Sequence, residues 1–411
     1  MRCGLIGEKL GHSHSKTLHG LLADYRYDLI ELAPEELGPF LKKGEFDGLN
    51  VTIPYKQAVI PYLQKLSPTA QAIGSVNTIV RRPDGTLFGD NTDAYGLGVI
   101  TGRAGMAFAG TKTLILGSGG TSKTARHVVE AAGGEAVTVS RTGETNYENL
   151  ERHADAAWLI NATPVGMYPK VQAAPVDLAR LTNLRGVADV IYNPLRTRLL
   201  QQARALGIPC EGGLTMLTYQ AVRACERFTG RPVPAERARE AERALRRAVT
   251  GLALVGMPGA GKSTVGALAA ARLGMPFVDL DGEIEKAAGM PIPRIFETEG
   301  EAGFRRRETE ALRRVALVGG QVIAAGGGIV KSAENRELLR MNCVVAHITR
   351  PIEALPMDGR PLSQGREALA RLWRERAGLY AAAADAEIEN GASPEDCARA
   401  VEEAYHEAVC D

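Results

Sequence analysis

No charge of either sign is in surplus: 49 Lys and Arg face 48 Asp and Glu, for a formal net charge of +1. A field strong enough to draw nucleic acid or an anionic membrane is therefore missing. The partners expected are small molecules, met by local positive sites. Cysteine patterning is absent too. Cys3, Cys210, Cys225, Cys343, Cys397 and Cys410 are scattered, with no CxxC pair and no metal-ligand spacing, which suits idle thiols in a reducing compartment. No run approaches the ~18 apolar residues of a membrane span. The opening MRCGLIGEKLGHSHSK lacks the apolar stretch of a secretory signal. A cytoplasmic protein is expected. Internal repeats and low-complexity tracts are missing as well.

What is present is length and rhythm. A single core stops growing near ~250–300 residues, so 411 residues imply at least two domains. Short apolar runs bounded by Gly, Pro and Asn alternate with helical patterns, the rhythm of βαβ units and parallel α/β sheets. Near residues 230–250, TGRPVP gives way to the charged, Ala-rich AERAREAERALRRAV and then to a fresh strand, LALVG. A boundary there leaves a first part of about residues 1–249 and a second of 250–411.

The second part opens on a phosphate loop. Gly256-Met-Pro-Gly259-Ala260-Gly261-Lys262-Ser263 matches GxxxxGK[ST] between an apolar strand and a helix that continues from Thr264. Its glycines turn backbone N–H groups inward, the helix N-terminus favours anions, Lys262 reaches the terminal phosphates and Ser263 ligates Mg²⁺. Asp279 and Asp281 are expected together at a fraying strand end, one near the metal and one at the acceptor hydroxyl. Phe304-Arg305-Arg306-Arg307-Glu308, Ala325-Gly326-Gly327-Gly328, Arg360-Pro361-Leu362 and Arg376-Ala-Gly-Leu-Tyr380 follow. Arginines spread so widely in a near-neutral chain suit a substrate that carries a carboxylate and receives a phosphate.

This set resembles shikimate kinase over residues 251–411. The resemblance implies a P-loop, nucleoside-monophosphate-kinase-like domain. It assigns Asp281 to the substrate hydroxyls, Asp279 to the metal, and Arg305 and Arg376 to the carboxylate. The triple glycine would contact the ring, and Arg360 would steady the transferring phosphoryl group from a lid. The stretch before Arg360 is shorter than in many members.

In the first part, Thr113–Leu116 reads as a strand, Gly117-Ser118-Gly119-Gly120-Thr121-Ser122 as a dinucleotide loop and the segment to Ala132 as its helix. The next strand ends at Ser140-Arg141-Thr142, about where a ribose-reading residue is expected. An acid there would favour NAD; Arg141 suits a 2′-phosphate, so the cofactor expected is NADP. Upstream, Gly48-Leu-Asn50-Val-Thr52-Ile-Pro-Tyr-Lys56 places a lysine at a strand mouth. Val76-Asn77-Thr78 and Asn91-Thr92-Asp93 offer amides and hydroxyls to a polyol. Lys56 with Asp93 makes a proton-handling pair.

The pattern resembles shikimate dehydrogenase from about residue 3 to 247. His12-Ser13-His14-Ser15 matches a serine element that implies carboxylate binding by Ser13 and Ser15. The elements of Asn50, Thr52, Lys56, Asn77 and Asp93 match substrate and catalytic positions. Asn161-Ala-Thr163 and the run from Asp189 through Tyr192 match the cofactor side. The returning segment Gly212-Gly213 to Gln220 brings a glutamine to substrate. Lys16 replaces a usual proline and Ser140 a frequent asparagine.

Together these imply a substrate-binding domain over 1–100, completed by helices at 215–247, a Rossmann-like NADP domain over 101–214 and a P-loop kinase domain over 250–411. The function implied is NADPH-dependent reduction of 3-dehydroshikimate to shikimate, then its phosphorylation by ATP with Mg²⁺. Two alternatives stand beside it: a quinate or shikimate dehydrogenase fused to a kinase of another small molecule, and one half kept only as a nucleotide-sensing module.

Overall fold

The computed structural model describes residues 1–11, 13–355, 366–391 and 393–410. The chain divides into two compact units, Met1–Leu245 and Arg246–Asp411.

The first unit is built on two sheets. One holds β1 (Arg2–Gly7), β2 (Arg26–Glu31), β3 (Gly48–Val51), β4 (Lys65–Leu66), β5 (Thr78–Arg81) and β6 (Leu87–Asp90), in the order β2-β1-β3-β5-β6-β4. β1 lies parallel to both β2 and β3, whereas β5 runs antiparallel between β3 and β6. Every residue of β3 is buried. That burial covers both faces of the strand, the polar Asn50 included, and makes its end a firm support for the turn that carries Lys56.

The other sheet is parallel throughout: β7 (Lys112–Leu116), β8 (Glu135–Val139), β9 (Trp158–Asn161), β10 (Gly186–Asp189) and β11 (Cys210–Glu211), ordered β11-β10-β9-β7-β8. The chain leaves β7 for β8 on one side and returns to β9 on the other. Such a reversal opens a ligand crevice beyond the carboxyl ends of the strands. The helix Asp93–Arg103 starts just after β6. At its far end Arg103 clamps Glu242 of the helix Ala235–Val249 through two hydrogen bonds of 2.7 and 2.8 Å. Glu242 is buried and also accepts from Thr215 of the helix Gly213–Thr229 at 2.7 Å.

The second unit carries β12 (Gly251–Val255), β13 (Phe277–Asp279), β14 (Val322–Ala324), β15 (Cys343–Thr349) and β16 (Ala386–Glu389). They are parallel, in the order β13-β14-β12-β15-β16. β12 is central and wholly buried, and the phosphate loop leads from it into the helix Lys262–Leu273.

One local expectation is corrected. Asp281 is not at a strand end. β13 stops at Asp279, whose side chain caps the helix Leu280–Ala288 by accepting from the Asp281 N–H at 3.1 Å. Satisfying that orphan amide lets the helix begin one residue after Asp279, so Asp281 lies in its first turn. Among the described residues no helix is long and apolar enough to cross a membrane.

Candidate active sites

A cleft of about 580 Å³ in the first unit is walled by Ser13, Ser15, Asn50, Thr52, Lys56, Asn77, Asp93 and Gln220, together with Thr121, Tyr192 and Gly213. Its centre is a chain of hydrogen bonds. Lys56 Nζ donates to Asp93 Oδ2 at 2.6 Å, and Asn77 Nδ2 donates to Asp93 Oδ1 at 2.8 Å. Asn77 Oδ1 in turn accepts the Thr92 N–H at 2.7 Å, so unlike partners at its two ends fix the amide's orientation. The Val76 N–H donates to the Lys56 carbonyl at 2.8 Å and anchors the lysine's turn.

Asn50 is buried. Its oxygen accepts from Tyr27 at 2.8 Å, and its amide donates to Asn77 O at 3.3 Å and Thr78 Oγ1 at 3.2 Å. Beneath lies His19, stacked 4.0 Å from Tyr27, where complete burial pushes its pKa down to about 3 and keeps the ring neutral. The Gln220 amide donates to Leu217 O of its own helix at 2.8 Å, while the side chain still borders the cleft.

Around the dinucleotide loop, Gly117 adopts φ +105° and passes close under the Ala162 carbonyl, where a Cβ would come to 3.1 Å. Gly119 caps the helix Gly120–Ala131. Ser118, Gly119 and Gly120 are exposed, as are Arg141 and Thr142 just past β8; Ser140 is half-buried. None of these six lines the cleft itself.

Asn161 and Thr163, read from the sequence as cofactor contacts, are tied into hydrogen bonds within the protein. The Asn161 amide donates to Asp189 Oδ1 at 3.0 Å, and its oxygen accepts from the Thr163 N–H at 3.1 Å and hydroxyl at 2.7 Å. Asp189 also receives the Ile191 N–H at 3.1 Å and the Thr197 hydroxyl at 2.7 Å. These bonds fasten the ends of β9 and β10 together. Burial pushes the Asp189 carboxyl up to about 7 despite the three donors.

The second unit holds a cavity of about 650 Å³. It gathers Gly259, Gly261, Lys262, Ser263, Thr264, Asp279, Asp281, Arg305, Gly326, Gly327, Gly328 and Arg376. Gly256 and Ala260 lie behind the wall. Gly256, at φ +148°, backs onto Ile348 O, which a Cβ would meet at 2.3 Å, so only glycine fits there. Lys262 is buried and donates to Gly256 O and Met257 O, each at 3.0 Å, drawing the loop around itself. Ser263 Oγ donates to Asp279 Oδ2 at 2.6 Å; a hydroxyl and a carboxylate side by side are the hard oxygen donors that Mg²⁺ takes.

Arg305 bonds both oxygens of Glu308 at 3.0 and 2.9 Å, and burial pushes the Glu308 carboxyl up. The triple glycine threads between these groups. A Cβ at Gly328 would sit 2.3 Å from the Arg305 guanidinium, and one at Gly326 only 3.0 Å from Asp281 Oδ1. Arg376 is buried and donates to Gly327 O at 3.0 Å, and the Tyr380 hydroxyl bonds the same carbonyl. Arg360 and His12 lie outside the described residues.

Some functional side chains carried no signal of their own in the sequence. Glu308 and Tyr380 sit within FRRRE and RAGLY, yet only the fold reveals that one supports Arg305 and the other the triple glycine. Phe296 and Phe304, stacked at 4.8 Å, supply an apolar wall. Among the described residues no three His, Cys, Asp or Glu gather as a metal cage.

Comparison with known families agrees with this geometry. The family described as shikimate dehydrogenase substrate binding domain matches residues 5–79, and the shikimate 5'-dehydrogenase C-terminal domain matches 213–241. The shikimate kinase family matches 258–406. A shikimate dehydrogenase (NADP(+)) from Clostridium beijerinckii is 38% identical over 245 residues, 54% of this chain and 90% of that protein. A chorismate mutase/shikimate 5-dehydrogenase fusion protein from Clostridium acetobutylicum superimposes with a TM-score of 0.56 at 32% identity, over 59% of this chain and 96% of its own. The shikimate 5-dehydrogenase of Thermus thermophilus, solved with NADP(H) and shikimate, gives 0.53 at 29% identity, over 59% of this chain and 99% of its own.

Proposed function

Because the chain belongs to the shikimate dehydrogenase family and carries a shikimate kinase domain behind it, it is a bifunctional enzyme of the shikimate pathway, and we propose how its residues divide the work. The chain reduces 3-dehydroshikimate to shikimate and phosphorylates shikimate.

In the first cleft, Ser13 and Ser15 hold the substrate carboxylate, and Asn50, Thr52, Asn77 and Gln220 meet the ring hydroxyls. NADPH, when bound, supplies the hydride to the ketone carbon. The glycine loop and Arg141 hold its phosphates, the guanidinium suiting a 2′-phosphate. Lys56 holds a proton at Nζ and releases it to the carbonyl oxygen, while Asp93 steers the ammonium and Asn77 steers Asp93. Asn161 and Thr163 act at one remove, by fixing the loops that flank the cofactor. The substrate part spans residues 1–100 with the helices at 215–247, and the NADP part 101–214.

In the second cavity, over 250–411, Asp281 orients the attacking hydroxyl. Arg305 and Arg376 clamp the carboxylate, and the triple glycine lets the ring approach the backbone. Lys262 leaves its loop carbonyls for the terminal phosphates of ATP. Ser263 and Asp279 would hold Mg²⁺, which supplies neutralising charge between the phosphates. Arg360 belongs to this set by sequence. A small-molecule enzyme working in the cytoplasm fits the whole.

The observation that carries the reading is the 2.6 Å contact between Lys56 and Asp93 inside a cleft rimmed with hydroxyls and amides. One coupled assay tests it. With 3-dehydroshikimate, NADPH and Mg-ATP, one ADP should be released for each NADPH oxidised, and neither gluconate nor a nucleoside monophosphate should replace shikimate as phosphate acceptor. Reduction without ADP release, or a better acceptor than shikimate, would sink it.

A further inference from the structure

Four cations line the cavity of the second unit: Lys262, Arg305, Arg350 and Arg376. Three are already engaged, Lys262 with loop carbonyls, Arg305 with Glu308 and Arg376 with Gly327 O. Arg350 alone makes no hydrogen bond or ion pair with another described residue, and it is exposed at the wall. A cavity that receives a triphosphate and a carboxylate has use for a further guanidinium.

Its placement is specific. β15 pairs in parallel with β12, with His347 opposite Val255, so Ile348 falls beside Gly256, the first residue of the phosphate loop. The close approach of Ile348 O to Gly256 follows from that register. Thr349 O accepts the Asn390 N–H at 2.8 Å, and the Asn390 amide donates to Ala260 O, inside the loop, at 2.8 Å. A Cβ at Gly261 would press on that amide at 2.3 Å. The end of β15, the end of β16 and the phosphate loop are therefore tied into one unit, and Arg350 is the next residue out. Pro351 follows and disfavours a helical backbone at Arg350.

We propose that Arg350 is a nucleotide-binding residue whose guanidinium pairs with the phosphate oxygens of ATP. Its planar fork matches two phosphate oxygens at once. The strand end that holds it borders the loop that encloses the phosphates. A triphosphate offers more oxygens than Lys262 can meet, and Arg305 and Arg376 are assigned to the acceptor. The proposal rests on the reading of this cavity as the ATP site.

The test uses the full-length chain and the variants Arg350→Ala and Arg350→Lys. Calorimetry with Mg-ADP and with adenosine separates phosphate from base. Arg350→Ala should weaken Mg-ADP by about 10- to 100-fold while leaving adenosine unchanged. It should raise the KM for ATP more than that for shikimate. Arg350→Lys, a point charge without the fork, should recover part of the loss. An equal loss for ADP and adenosine, or unchanged ADP affinity and KM for ATP, overturns the assignment. A wild-type chain that binds Mg-ADP but does not phosphorylate shikimate would overturn the acceptor instead and leave Arg350 standing.

Discussion

The two sites handle charge in opposite ways. In the dehydrogenase cleft the proposed catalytic pair, Lys56 and Asp93, meets at 2.6 Å, and the wall around it mixes amides and hydroxyls with apolar side chains and one further cation, Lys9. In the kinase cavity Lys262 is held by two loop carbonyls and Arg305 by the buried acid Glu308, while Arg350 bonds no other described residue. The difference follows the substrates. A ketone becoming a hydroxyl needs one proton delivered along one line. A triphosphate needs several charges met at once, from groups that can shift as phosphate moves.

The sharpest way to break the comparison is Lys262→Ala. Kinase turnover should fall by about 10³-fold, the scale of losing a group that stabilises transition-state charge, while NADPH oxidation by the same chain stays at the wild-type rate. Unchanged ADP production would remove the lysine from catalysis. Next is Lys56→Ala, where reduction should fall by about 10²- to 10⁴-fold with little change in NADPH affinity, measured by fluorescence titration. Loss of cofactor binding in its place would make Lys56 a binding residue.

Arg141→Ala should act more modestly. It should raise the KM for NADPH by about 10-fold and leave that for NADH nearly unchanged, because only the 2′-phosphate contact is removed. A parallel rise for both cofactors would refute the 2′-phosphate role. The smallest effect on turnover belongs to Asp189. Its carboxyl rises from an ordinary 3.8 to about 7 on folding, so between those values the native chain holds the extra proton. The stability it contributes is complete below pH 3.8 and lost as pH rises through about 7. Asp189→Asn should flatten that part of the pH profile of urea unfolding, read on the first unit; a profile as steep as the wild type's would show that another group titrates.

What could be read in advance divides along a physical line. The phosphate loop and the dinucleotide loop were legible because backbone geometry demands glycine at fixed offsets between strand and helix. Lys56 and Asp93 were legible because each closes a polar run at a strand mouth, although 37 residues separate them and only the sheet brings them together. The alternating pattern FVDLD reads as strand through Asp281 because it conceals the aspartate, Asp279, that caps the next helix. An acid in an arginine-rich helix looks solvated in the sequence, and only the fold shows Glu308 buried against Arg305. The motif matches Asn161 to the cofactor side, and the structure adds which protein groups its side chain bonds, Asp189 and Thr163.

The helix Asp93–Arg103 has a mechanical consequence. At one end it carries the Asp93 carboxylate that Lys56 bonds, and at the other, roughly 15 Å away by helical rise, it is bolted to Glu242 through Arg103. A helix transmits axial displacement nearly undiminished, so the bolt acts as the far bearing of a rod whose near tip sets the reactive contact. Loosening it by exchange of Glu242, which does not line the cleft, would show at the opposite tip, as play between Asp93 and its lysine.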